Sequence, residues 1–234
     1  MKSSFGFAGA MLLLLNAQLA FAATRLYVQN AAAPYSPATK RGAWDTTASF
    51  VDKQIDTTKS GAAANVAIAE AVTTANYDVM LARFVSPALA ENKVISGTVQ
   101  WILGVTESSN SANDFFHVHI FVTQGDTDNV RGTLLTDNIG ATEWRLNTAE
   151  GRGEGAKALT TVSALAGDRI VVEVGYQAQN TSGTSFTGTL HYGNTGATDL
   201  TSGSTNVTTE PGWIEFSMDN LLRIGFDSLT LGGD

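Results

Sequence analysis

The chain has no cysteine, three histidines and four prolines in 234 residues, and 14 Lys+Arg against 22 Asp+Glu. Each scarcity excludes something. Without cysteine there is no disulfide framework, so stability must come from a buried core. With three histidines and no thiol, few nucleophile and base pairs remain for catalysis. The shortage of basic side chains, a formal net charge of −8, disfavours nucleic acid, whose affinity rests on Lys and Arg contacts. It also argues against docking on anionic lipid. Beyond the first 22 residues no apolar run approaches the roughly 20 residues needed to cross a bilayer.

What is present begins with a basic start at Lys2, an apolar run "FGFAGAMLLLL" and an A-x-A pattern at Ala20, Phe21 and Ala22. This is the pattern of a secretory signal peptide over residues 1–22, with cleavage before Ala23 and a secreted, periplasmic or extracellular product. Removing Lys2 leaves 13 basic against 22 acidic residues, a balance of −9. The mature chain is long enough for one all-β domain, expected over 23–217, with 218–234 as a last strand or tail.

Apolar residues recur in short runs such as "TRLYV", "ASFVDKQI", "YDVMLARFV", "VISGTVQWILGV", "FFHVHIFVT", "VRGTLL", "DRIVVEVGY", "SFTGTLHYG" and "GWIEFS", separated by Gly, Asn, Asp and Ser clusters. Strands at this spacing predict a single jelly-roll-like antiparallel β-sandwich. Helical signals are few: "SPALAEN" predicts one turn, and "GAAANVAIAEAV" reads as half strand, half loop. In "FFHVHIFV", Phe116, Val118, Ile120 and Val122 share one face and Phe115, His117, His119 and Phe121 the other. Both faces carry apolar residues, so this strand is expected under another layer or a loop.

His117 and His119, about 7 Å apart on one strand face, supply at most half a metal site. The third histidine, His191, stands in a different run, and no Glu follows "HVH" at the spacing a metal-binding version needs. Structural histidines and no bound metal are the expectation. The loop "GDTDN" offers Asp126 and Asp128 to calcium, but the sixth position counted from Asp126 is Arg131 and the twelfth is Asp137, so a hairpin turn is expected instead. The catalytic motifs G-x-S-x-G, H-E-x-x-H, Walker A and G-x-G-x-x-G are absent, and Asp168 and Glu173 fall on opposite strand faces, unlike the paired carboxylates of sugar cleavage. Among the tryptophans, Trp101 and Trp213 read as core. Trp144 beside Arg145, and Tyr192 before "GNTGATD", lie near loops and are the candidates for stacking on a sugar ring.

The ordered set "ATRLYVQNAAAPYSP", "GAW", "ISGTVQ", "VRGTLLTDN", "ALAGDRIVVEVGYQA", "LHYGNTGATDL" and "PGWIEFS" resembles a family of uncharacterised β-rich proteins of phages, prophages and bacteria, encoded near virion structural genes. The resemblance implies a jelly-roll-like fold and a virion-associated or surface role, and it carries no active site. The expected function is therefore a non-catalytic exported β-sandwich acting in structural assembly or surface adhesion. A carbohydrate-binding module is the alternative, and a metal-dependent enzyme at the histidines a third. Expected partners are further copies, other surface or virion proteins, or a glycan, with no nucleic acid and no membrane insertion of the mature chain. No cofactor is expected, calcium being the one candidate.

Overall fold

The computed structural model describes residues 23–46, 49–180 and 182–222. The signal peptide expected at 1–22 and most of the C-terminal segment expected as strand or tail lie outside them. Among the described residues there are thirteen strands and no helix. They are β1 (Thr24–Ala32), β2 (Val51–Asp56), β3 (Ala64–Ala69), β4 (Tyr77–Val85), β5 (Lys93–Ile95), β6 (Thr98–Glu107), β7 (Asp114–Thr123), β8 (Val130–Glu143), β9 (Glu150–Ala158), β10 (Val162–Ala164), β11 (Arg169–Ala178), β12 (Thr187–Tyr192) and β13 (Trp213–Phe216).

Eleven strands form one sheet in the order β3-β12-β6-β13-β1-β2-β4-β11-β7-β8, with β9 on the other edge of β6, while β5 and β10 form a separate pair. The sheet folds over itself around a common core, so β4, β11, β7 and β8 oppose β3, β12, β6, β13 and β9. Phe116, Val118, Ile120, Val172 and Val174 from one layer meet Trp101, Leu103, Val105, Leu190 and Phe216 from the other. The chain is thus an all-β sandwich. With no disulfide available, these side chains supply the stability, each large one contributing about 1.5–3 kcal/mol on full burial.

The sheet is antiparallel with one exception that the strand pattern did not foretell. β2 and β4 run parallel, with Asp52 directly opposite Arg83. The Arg83 guanidinium donates to both Asp52 carboxylate oxygens at 2.7 and 3.1 Å, an ion pair that fits this register. Three other differences have local causes. The run "VISGTVQWILGV" breaks into β5 and β6 at Gly97, whose φ is +88° and where a Cβ would lie 2.3 Å from Ser217 Oγ. "SPALAEN" makes no helical turn, because Ser86 and Leu89 donate their N–H groups to Ile170 and Asp168 carbonyls, holding the segment against residues 165–170. β9, "EGRGEGAKA", was not anticipated, since glycine and alternating charge hide its pattern.

β8 and β9 approach each other without a backbone ladder. Glu154 of β9 closes the seam, its Oε1 accepting the N–H groups of Ala141 and Thr142 at 2.9 and 3.3 Å. On the outside of β11 and β7 the expected covering layer is present. Residues 33–46, ahead of β2, lie across that face as a strap, with Trp44 over the gap left by Gly175.

Gly175 sits at a bulge in the β11–β4 pairing. A Cβ there would stand 1.9 Å from the Val79 carbonyl oxygen and 2.9 Å from Trp44. Gly175→Ala is expected to destabilise the fold by about 3 kcal/mol, measured by urea unfolding followed through tryptophan fluorescence.

Candidate functional site

The alternation along β7 points His117 and His119 outward, and a bulge in β8 brings an acid to both. Register partners run His117–Ile139, Val118–Asn138 and then Ile120–Leu135, so residues 136 and 137 together face His119. Asp137 takes a left-handed backbone, φ +35°, and its Oδ1 lies 3.1 Å from His117 Nε2 and 3.0 Å from His119 Nδ1. On its other nitrogen His117 meets Asp78 Oδ1 at 2.7 Å. Trp44 stacks on the His117 ring at 4.1 Å between centroids. Burial opposes ionisation of Asp137, but the Ala43 N–H and the two imidazoles outweigh it and hold its pKa below the ordinary value.

Beside this cluster Glu173 is wholly buried. Its carboxylate accepts the Arg41 and Gly42 N–H groups at 3.0 and 2.8 Å and Trp44 Nε1–H at 2.8 Å. Three donors on one carboxylate are what a buried charge needs, and all three belong to the strap. The candidate calcium ligands serve the same strap and its surroundings. Asp128 accepts N–H of Ala38 at 2.6 Å and Thr39 Oγ1–H at 2.8 Å, and Asp126 pairs with Arg169. The "GDTDN" segment closes as a turn through Gln124 N–H to the Asn129 carbonyl.

His191 does not join His117 and His119. It lies on the outward side of β12 and they on the outward side of β7, with the common core between. Burial lowers its pKa. At His117 and His119 carboxylate oxygens stand within hydrogen-bond distance of three ring nitrogens, where an ion would otherwise sit. Among the described residues no group of three or more His, Asp or Glu is arranged to hold a metal.

The two candidate sugar-stacking rings stand where the sequence placed them, Trp144 in the loop after β8 and Tyr192 at the last residue of β12, but both are buried in the core. Trp144 is 2% exposed and packs edge-on against Phe116 and tilted against Tyr176, at 5.2 and 5.5 Å. Tyr192 is 6% exposed and meets Phe84 at 6.4 Å. The polar neighbours that made both look accessible flank them in sequence, while the pleat of β12 turns Tyr192 inward and the Trp144 N–H, bonded to the Asp114 carbonyl, holds that residue against the end of β7. Arg145 points outward and pairs with Glu150 at 2.8 Å.

A second constellation was not anticipated. Glu107 at the end of β6 and Asp114 at the start of β7 are both buried, and Glu107 Oε2 accepts the Asp114 N–H at 3.0 Å. Burial drives the Glu107 carboxyl up to about 7 and the Asp114 carboxyl up to about 9. Acids flanking strand ends are common in turns, so the sequence held no signal that these two face inward. Glu107 also lines a surface concavity. This space of about 300 Å³ is lined by Thr106, Glu107, Ser108, Asn147, Thr187 and Thr189, so hydroxyls, an amide and one carboxyl form a polar floor.

Glu173→Ala strips the acceptor from three strap donors and is expected to cost about 2–4 kcal/mol, read by denaturant unfolding, with Trp44 emission shifted to the red. Zinc or calcium should move Tm by less than about 1 °C, checked by calorimetry on metal-stripped protein.

No known family model matches this chain, and no curated protein does. Among solved structures it is similar to an aminopeptidase from the marine sediment archaeon Thaumarchaeota archaeon, at 14% identity and a TM-score of 0.49 over 83% of this chain. It is also similar to an α-amino acid ester hydrolase, at 12% and 0.43 over 83%, and to a CocE/NonD family hydrolase from Staphylococcus aureus, at 10% and 0.44 over 84%. The chain spans 36 to 37% of the length of these three proteins.

Proposed function

We propose that the protein is an exported, non-catalytic β-sandwich that works by assembly, pairing with further copies of itself through a sheet edge. The observation that carries this reading is the contrast between its edges. β8 is broken by four register shifts, carries Arg131, Asp137 and Glu143, and is covered in part by β10 and Glu154. β9 alternates Arg152, Glu154 and Lys157 with glycine and alanine. These are the devices that stop strands from adding to one another. β3, "ANVAIA", has none of them: no charge, no proline, no bulge against β12, and exposed Asn65, Ala67 and Ala69. Val72, just beyond it, is 72% exposed.

A bare, regular edge flanked by exposed apolar surface presents unpaired backbone donors and acceptors to a matching strand. A second β3 is such a strand, and two-fold antiparallel pairing would use the same edge on both copies. Around the histidines the acids are engaged: Asp78, Asp137 and Glu173 are bonded to histidines or to the strap. Glycan binding through Trp144 and Tyr192 has no support, since both rings are in the core.

Size-exclusion chromatography with light scattering is expected to show concentration-dependent association. Ala67→Lys, which places a charge on the bare edge, should weaken it about tenfold, a change near 1.4 kcal/mol. A monomer at every concentration, or association unaffected by Ala67→Lys, would remove this reading.

A further inference from the structure

One end of the sandwich gathers more carboxyls than it has partners for. Asp114 is 0% exposed, and neither of its side-chain oxygens has a hydrogen-bond partner. Glu107 Oε2 takes the Asp114 N–H, and the Glu107 side chain is also within hydrogen-bond contact of the Glu143 carboxyl. Glu70, just past β3, bonds Asn180 and the Phe186 N–H through Oε1, while its buried Oε2 is unpartnered. Tyr176 of β11 reaches the same place and donates its hydroxyl to the Ile68 carbonyl. From β12 Gly188 faces the cluster, where a Cβ would meet Tyr176 at 2.5 Å and Asp114 Oδ2 at 2.9 Å, and Thr187 and Thr189 line the space beside Glu107.

We propose that this cluster is a proton-held latch: its protonated carboxyls keep this end of the sandwich closed, and loss of those protons loosens it. Burial disfavours the ionised form of Glu107, and the negative charge of the neighbouring Glu143 disfavours it further, so Glu107 keeps its proton. A buried carboxylate with no donor is costlier still, which describes Asp114. The charges that act here are Glu70, Glu107, Asp114 and Glu143, together with Arg152 of β9, which favours ionisation of Glu107 and is itself held 2.8 Å from Glu150. Tyr176 and, through it, Tyr77 of β4 are the remaining titratable neighbours. Burial is the first cause of the upward shift at Glu70, Glu107 and Asp114 alike.

The sign follows from proton counting. The folded protein keeps protons that the unfolded chain releases near pH 4, so it binds more protons between pH 4 and the raised values of about 7 for Glu107 and about 9 for Asp114. The contribution of this cluster is therefore fully present at about pH 4 and falls as pH rises through that window. Local opening comes first at the elements the cluster joins, around residues 108–113, 144–149 and 182–186, rather than in the centre of the core.

The test is calorimetry of the purified protein from pH 5 to pH 9, with Trp144 fluorescence and hydrogen exchange at both ends of the range. Tm is expected to fall by about 5 °C or more, with Trp144 emission moving to the red and faster exchange confined to those loops. Asp114→Asn, neutral at every pH, should remove at least half of the fall, and Glu107→Gln provides the same comparison if that variant does not fold. A Tm that is flat or rising over this range, or a fall of undiminished size in both variants, would overturn the latch. So would stoichiometric calcium binding that restores the pH 5 stability at pH 9, since the oxygens would then be cation ligands.

Discussion

The Glu173 carboxylate is the contact on which the outer face of the sandwich depends. It is wholly buried, and a bare charge there would be prohibitive. Three N–H donors from residues 41–44 make it tolerable, and in doing so they fix the strap over β11 and β7. With the strap in place Trp44 covers Gly175 and stacks on His117, and Ala43 reaches Asp137. A chain without cysteine has no covalent way to tie such a segment down, and here acids do the tying by hydrogen bonds, Glu173 at residues 41–44 with Asp128 at residues 38 and 39 and Asp137 at Ala43.

The same functional group is used in opposite electrical states at two places. Asp137 and Glu173 are surrounded by donors, and Asp137 is held ionised by Ala43 N–H and the imidazoles in spite of its burial. Asp114 is buried with no donor at all, and burial instead keeps its proton on. Donor supply and depth together separate the two: the Asp137 side chain is 30% exposed and ringed by donors, whereas Asp114 is fully buried with none. The contributions have opposite pH signs: the Asp137 contacts are lost as pH falls below the ordinary carboxylate range, and the Asp114 cluster is lost as pH rises.

The sheet's edges receive equally unequal treatment. β8 and β9 meet along a seam where Glu154 binds backbone amides that a ladder would otherwise pair, so two edges shelter each other. β3 at the far end of the order has no such shelter among the described residues. An assembling protein needs one edge open and the others closed, and this distribution is the physical basis of the proposed role.

Strand periodicity, Gly and Asn punctuation and the absence of cysteine were enough to place most strands and an all-β sandwich, because period-2 alternation is a local property that the pleat preserves. The double-sided apolar pattern of "FFHVHIFV" likewise announced a covering layer. What covers it was not legible, since residues 33–46 have no pattern of their own and are positioned by Glu173, more than 120 residues away. Trp144 and Tyr192 read as loop aromatics because their sequence neighbours are polar, whereas their burial is set by Phe116, Tyr176 and Phe84 from other strands. The pairing of Asp137 with two histidines required a bulge, and the convergence of Glu70, Glu107, Asp114 and Glu143 required four strand ends to meet. The sequence by itself determined the strands and the class of fold, through local alternation; which carboxyls are charged, which edge is open and what lies over the histidines were decided only when distant strands were brought into register.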